Sequence, residues 1–246
     1  MVWFFKKRTA PEKQSIFQAE IPRDEERLGP APPPPPSATP PGVTVLRFGE
    51  SLGESVSLAP RASRRPAETR VLTVAAGASI SPPLGVYLLL SGSVDAPGLL
   101  ASAAGDVLVL SSEGEVISAR GGEAAILLAD VGALAPSQAS RRIGHEEPVG
   151  TGFGGITGAR RLDAAAGVVT VRLGPPPGAR WAIVGLRALA VFVGKLSLVD
   201  GDEAKEVRAG RLAVIADPSS TLYLQAGNDS VIAMGFASPD AVIALG

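Results

Sequence analysis

Apolar residues in this chain come in short runs separated by Gly, Pro, Asp and Ser. Such runs predict β-strands, because alternate side chains of a strand face opposite ways. No stretch sustains the 3.6-residue period of an amphipathic helix. Only Ala133–Arg142 and Pro239–Leu245 read as short helices. Strands are predicted at Val86–Leu90, Val107–Leu110 and Ala124–Leu128, and again at Leu189–Val193, Leu212–Ile215 and Ser230–Met234. The two sets are copies of one pattern, spanning Val71–Asp130 and Val169–Gly235. Gly92, Gly105 and Gly122 recur as Gly194, Gly210 and Gly227. A repeat of this size predicts two tandem units, each a barrel or sandwich of antiparallel strands.

The rest of the chain divides around the repeat. Residues 1–42 form an N-terminal arm. It opens on Trp3, Phe4 and Phe5 followed by Lys6, Lys7 and Arg8, and it ends in the proline-rich stretch 29–42. Aromatic rings beside cations suit a headgroup boundary or a protein neighbour. Consecutive prolines make an extended, semi-rigid spacer. Residues 43–135 are assigned to the first barrel, with the alternation over Val43–Leu58 leading into it. The basic loop Pro60–Arg70 is expected to be solvated. Residues 136–166 read as a glycine-rich connector, and residues 167–246 as the second barrel.

Composition narrows the chemistry. Of 246 residues, 46% are hydrophobic, enough for a core, and aromatics are only 4%, so aliphatic side chains fill it. A net charge of −1 gives no electrostatic footprint for nucleic acid. Cysteine is absent, which excludes disulfides and thiol catalysis. No apolar run approaches the ~18 residues that span a bilayer. A cytoplasmic location is expected, peripheral on the cytoplasmic face of the inner membrane. His145 is the single histidine and sits in the connector, where it is expected to be solvated. The run Gly150–Gly155 matches a GxGxxG pattern without the strand and helix a dinucleotide fold requires, so it reads as a loop. Asp200, Asp202 and Glu203 read as a hairpin turn, with too few oxygen ligands for calcium.

Each repeat resembles a cupin domain, a small jelly-roll barrel. The residues that carry the likeness are Gly105-Asp106 before the strand "VLVL" and the segment Gly121–Leu128. In the second copy they are Gly210–Ser220 and Ala226–Met234. The expected fold class is therefore all-β, two tandem cupin-like jelly-roll barrels behind an extended proline-rich arm. Metal-dependent cupins carry G-x5-H-x-H-x3-4-E-x6-G and a later His. Laid on the second repeat from Gly174 to Gly194, the ligand positions hold Arg180, Ala182 and Arg187, and the later one holds Thr221. In the first repeat they hold Pro83, Gly85, a position near Leu89, and Val116. The resemblance thus implies no metal, no cofactor and no enzyme activity.

Arg180, Arg187 and Thr221 are the candidate anion-binding residues, because guanidinium groups pair with carboxylate or phosphate. The expectation is a structural subunit of a larger, membrane-associated bacterial complex, for example an energy-converting one. Its arm, through Trp3 to Arg8, would contact a protein partner or the membrane surface. A small-anion sensor using the second barrel is the alternative.

Overall fold

A computed structural model describes residues 43–50, 68–81, 84–99, 102–111, 115–130, 139–145, 151–165 and 168–246. The N-terminal arm, with Trp3 to Arg8 and the proline stretch, lies outside these residues, as does most of the loop Pro60–Arg70. The described part is built from strands. Those of the first half are β1 (Val43–Arg47), β2 (Glu68–Val74), β3 (Ser79–Ile80), β4 (Gly85–Ser91), β5 (Ser93–Asp95), β6 (Ser102–Ala103), β7 (Val107–Leu110), β8 (Ile117–Ala119) and β9 (Ala124–Asp130). Between the halves run β10 (Arg141–Ile143), β11 (Thr151–Phe153) and β12 (Ile156–Ala165). The second half holds β13 (Val168–Leu173), β14 (Arg180–Val193), β15 (Lys195–Asp200), β16 (Glu203–Arg208), β17 (Arg211–Ile215), β18 (Leu222–Ala226) and β19 (Ile232–Leu245).

In the first repeat, a five-stranded sheet β10-β7-β4-β9-β2 lies over a four-stranded sheet β3-β8-β5-β6. Tyr87, Leu89, Leu108, Ile126 and Leu128 from the larger sheet meet Val94 and Ile117 from the smaller one. The other face of the larger sheet is equally apolar. Leu88, Leu90, Val107, Val109 and Leu127 pack there against Ala190, Leu212, Val214, Met234 and Phe236 of the second repeat. The two halves therefore stand back to back. This explains why β4 and β9 read as unbroken apolar runs: strands covered on both faces lose the polar alternation of a half-exposed strand.

The second repeat is one ten-stranded sheet, ordered β11-β12-β13-β19-β14-β18-β15-β16 with β17 and β1 branching from β14. The long strand β14 pairs with β19 along one edge. Along the other it pairs first with β18, at Arg180–Ile183, and then with β17, at Ala188–Val191. Trp181, Ile183, Leu189, Val191, Leu196, Leu198, Leu222 and Leu224 fill the core of this half.

The repeat is kept in backbone detail. Gly92 and Gly194 both have positive φ, 77° and 74°. A Cβ would sit 2.4 Å from the Glu123 carbonyl oxygen at the first and 2.2 Å from that of Ser230 at the second. Only glycine serves at either position. The amide of Gly105 donates to the Leu89 carbonyl, and that of Gly210 to the Val191 carbonyl.

Four expectations are corrected. Val43–Arg47 does not complete the first half. It pairs antiparallel with β17, Val43 opposite Ile215, because its alternate apolar residues match an open edge of the second sheet. The segment 136–166 is not a plain connector: β10 extends the first sheet beside β7, and β11 and β12 extend the second beside β13. Thr151–Gly155 is part of a hairpin, β11 turning through Gly154 and Gly155 into β12. Pro239–Leu245 is not helical. It is the outer half of β19, where a proline is tolerated because a register shift leaves its nitrogen outside the ladder. Of the other helical candidate, Arg141 and Arg142 lie in β10, and residues 133–138 fall outside the described part.

Candidate functional site

The motif positions sit on β14, and strand parity decides where they point. Trp181 and Ile183 face the core of the second half. Arg180 and Ala182, one residue out of phase, face away from it. Arg180 is exposed, and its guanidinium carbon lies 4.6 Å from the centre of the Tyr223 ring. Thr221 is exposed as well. Arg180 lies opposite Gln225, while Thr221 lies beyond Leu222, which opposes Ile183. At ~3.3 Å per residue that separates the two by roughly 13 Å along the ladder.

Arg187 goes elsewhere again. The pairing of β14 with β19 skips between Val184 and Leu186 and again between Leu186 and Ala188. These irregularities leave Arg187 buried, with Nε donating to Ser238 Oγ at 3.2 Å. Ser238 lies two residues past Phe236 on the face that meets the first half. Arg180, Arg187 and Thr221 therefore do not converge, and the expected anion site at the mouth of the second barrel is not formed by them. In the first half Leu89 lies in the core, Gly85 is buried against the Ala129 carbonyl, and Val116 is half-buried; Pro83 is outside the described residues.

The described residues of the inward faces are mainly apolar. They present Tyr87, Leu89, Leu108 and Ile126 in one half and Trp181, Ile183, Leu189 and Leu224 in the other. Among the described residues no three His, Asp or Glu side chains come together as a cation site. Such surfaces pack against other apolar groups.

The polar chemistry lies instead at the seam between the halves, centred on Asp106. Its side chain is fully buried. Oδ2 accepts from the Ala103 amide at 2.8 Å, from Arg142 Nε at 2.9 Å and from Arg142 Nη2 at 2.8 Å. Oδ1 accepts from the His145 amide at 2.7 Å and pairs with His145 Nδ1 at 2.8 Å. A carboxylate only accepts, so Nδ1 carries the proton. Burial by itself would push the Asp106 carboxyl up. The amides of Ala103 and His145 and the side chains of His145 and Arg142 outweigh it and hold the group below its ordinary value. The His145 carbonyl in turn accepts from Arg172 Nη1 at 2.6 Å. A chain of polar contacts thus runs from the hairpin turn of the first half, through the connector, to β13 of the second.

His145 keeps 43% of its side chain exposed, as a loop histidine would, but is tied to Asp106 through its amide and ring. No motif marks Asp106, Arg142 or Arg172 in the sequence, and Asp106 sits there as the end of a turn before β7. The available signal was an ionisable residue placed directly before a fully apolar strand. The Asp200–Glu203 segment is the expected turn, joining β15 to β16 through Gly201. Glu206 pairs with Arg208 and with Lys195.

No protein-family model matches the chain, and no curated protein sequence does. Solved structures do match. A putative glyoxylate-induced protein from Pseudomonas aeruginosa is 11% identical, with a TM-score of 0.54 over 80% of this chain and 79% of its own. Salicylate 1,2-dioxygenase from Pseudoaminobacter salicylatoxidans, solved with gentisate, is 11% identical, with a TM-score of 0.52 over 82% of this chain and 84% of its own. A cupin 2 conserved barrel domain protein from Leptotrichia buccalis is 13% identical, with a TM-score of 0.50 over 80% and 88%. The chain is thus an all-β protein of jelly-roll type. More narrowly, it has the cupin fold that its sequence resembles. At these identities the likeness defines architecture, and the matching structures differ in function.

Proposed function

We propose that this chain is a non-catalytic assembly subunit. It would be a metal-free double cupin, tethered by its N-terminal arm to a larger, membrane-associated bacterial complex. One observation carries the reading: where metal-dependent cupins present ligands inward, β14 presents Trp181 and Ile183. A cation would find no lone pairs there to replace its water. Trp3, Phe4 and Phe5 beside Lys6, Lys7 and Arg8 supply an interfacial tip, and the prolines supply the reach. Removing residues 1–42 is expected to shift the protein from the membrane fraction to the soluble one, with its melting temperature unchanged. Full retention in the membrane fraction would sink the tethering part. Stoichiometric Fe, Mn, Ni or Zn in the purified protein would sink the metal-free part.

A second feature supports an assembly role. On the outer face of the second half, Val242 opposes Val184 and Ala244 opposes Ala182. Val242 is 59% exposed, and Ala244, two residues on and on the same face, is exposed as well. A row of small and aliphatic residues open to solvent suits a protein surface. Replacing both Val242 and Ala244 by Glu should change stability by no more than ~0.5 kcal/mol per site. The same change should reduce recovery of partner proteins in a mild-detergent pull-down. Recovery equal to wild type would remove this face from the interface.

A further inference from the structure

The outward face of β19 runs on past the contact between the halves. Met234 and Phe236 pack against the first half, and Ser238, two residues on, is still buried. Asp240, Val242 and Ala244 carry the same alternation into solvent. Beside them β14 turns out Val184, opposite Val242, and Ala182, opposite Ala244. Arg180 ends the row, its carbonyl accepting from the Gly246 amide at 2.9 Å. The skip in pairing between Val242 and Ala237 leaves a bulge that carries Asp240. Arg161 holds that bulge, donating to the Ala241 carbonyl at 2.8 Å and to that of Pro239 at 3.4 Å.

The open patch thus spans two adjacent antiparallel strands, with Asp240 at one end, Arg180 at the other, and valine and alanine between. Among the described residues neither Arg180 nor Asp240 is in an ion pair. Arg180 rests on the Tyr223 ring, and Asp240 favours the charge on Arg187 without contact of ion-pair length. The pattern complements itself. Read along one direction, β14 presents Arg180, Ala182 and Val184. Read along the reverse direction, β19 presents Asp240, Val242 and Ala244. Each charge faces its opposite and each larger side chain a smaller one.

We propose that this face takes a second copy of the chain, about a two-fold axis that crosses β14 and β19. β14 of one copy then lies over β19 of the other. Arg180 meets the partner's Asp240, Ala182 the partner's Val242 and Val184 the partner's Ala244, and each contact is made twice. An axis across the strands also sets the two first halves at opposite ends of the contact, so neither blocks it. The inference rests on the reading of this face as an assembly surface and names what the surface takes.

The test is sedimentation of the full chain in mild detergent over a range of concentrations. The patch is small for a specific interface, so a reversible dimer with a Kd of about 10–100 µM is expected, weakened by salt. Arg180→Glu and Asp240→Lys should each raise that Kd at least about tenfold. Mixing the two variants should restore association, because each supplies the charge the other has lost. A wild type that stays monomeric overturns the second copy, while the pull-down decides the assembly reading separately. A dimer that Arg180→Glu does not weaken, or variants that stay apart on mixing, overturn it too. If Asp240→Lys does not fold, cross-linking decides, since the chain has no cysteine of its own. An Ala182→Cys chain mixed with a Val242→Cys chain should form a disulfide-linked dimer under mild oxidation, far more than either chain by itself. No such excess removes the contact.

Discussion

An Asp106→Asn protein is expected to melt about 6–20 °C below the wild type, from a loss of roughly 3–5 kcal/mol. The carboxylate accepts at both oxygens: Ala103 and Arg142 at one, the His145 amide and ring at the other. An amide side chain must turn its NH2 toward one of these donor sets. Turned to one side, its NH2 meets three donors from Ala103 and Arg142; turned to the other, it meets the His145 amide. The Arg142 charge loses its compensation at the same time. The loss also has a pH signature. Asp106 is held below its ordinary value near 3.8, so its contribution is complete above that pH. It fades as pH falls through the lower folded-state value, where the native carboxylate finally takes up a proton. The gap in melting temperature between wild type and variant should therefore be constant from about pH 5 to 8 and narrow below about pH 4. A variant melting within a degree of the wild type at pH 7 would show the network to be dispensable.

Gly235→Ala should be the other severe change. Gly235 lies in the middle of β19, paired with Val171 on one side and Leu189 on the other. A Cβ there would sit 2.0 Å from the Ala188 carbonyl oxygen and 3.0 Å from Leu189 Cα. Both neighbours are backbone in a central strand, so neither can swing aside as a side-chain tip would. The cost should exceed the ~1–3 kcal/mol of ordinary overpacking, giving an insoluble protein or one that melts at least about 6 °C lower. Gly122→Ala is the control. Nothing lies within 4 Å of the Cβ it would add, and a shift beyond ~0.5 kcal/mol is not expected. Comparable melting of the two variants would mean the β14–β19 contact is looser than described.

The parts legible in the sequence are those that local patterning specifies. Val107–Leu110 is β7 as expected, and Val86–Leu90 and Ala124–Leu128 lie within β4 and β9. The paired glycines mark equal turns because the same backbone crowding recurs at Gly92 and Gly194. What escaped detection depends on partners distant in sequence. β1 alternates as any edge strand does, and nothing local reveals that its mate is β17. The strands β10 to β12 are short or polar and are set among glycines, which reads as loop until a neighbour supplies hydrogen bonds. Parity was the subtler failure. A motif aligned from Gly174 puts Arg180 and Ala182 inward, whereas the folded β14 turns Trp181 and Ile183 inward. The register shifts around Gly185 then carry Arg187 to the opposite face. One residue of slip exchanges the two sides of a strand, and spacing alone cannot register it.

The pairing of β1 with β17 also has a meaning in time. β1 precedes the whole first repeat, yet its partner β17 lies well inside the second, after β13 to β16. During translation β1 is made first and waits while about 170 more residues are added, on the order of ten to thirty seconds at common elongation rates. The first repeat has all the strands of its two facing sheets once β10 has emerged, with β1 still unsatisfied beside it. Closure of this edge thus waits for β17, and a nascent chain stalled before it would expose a ready edge to any neighbour on the same message.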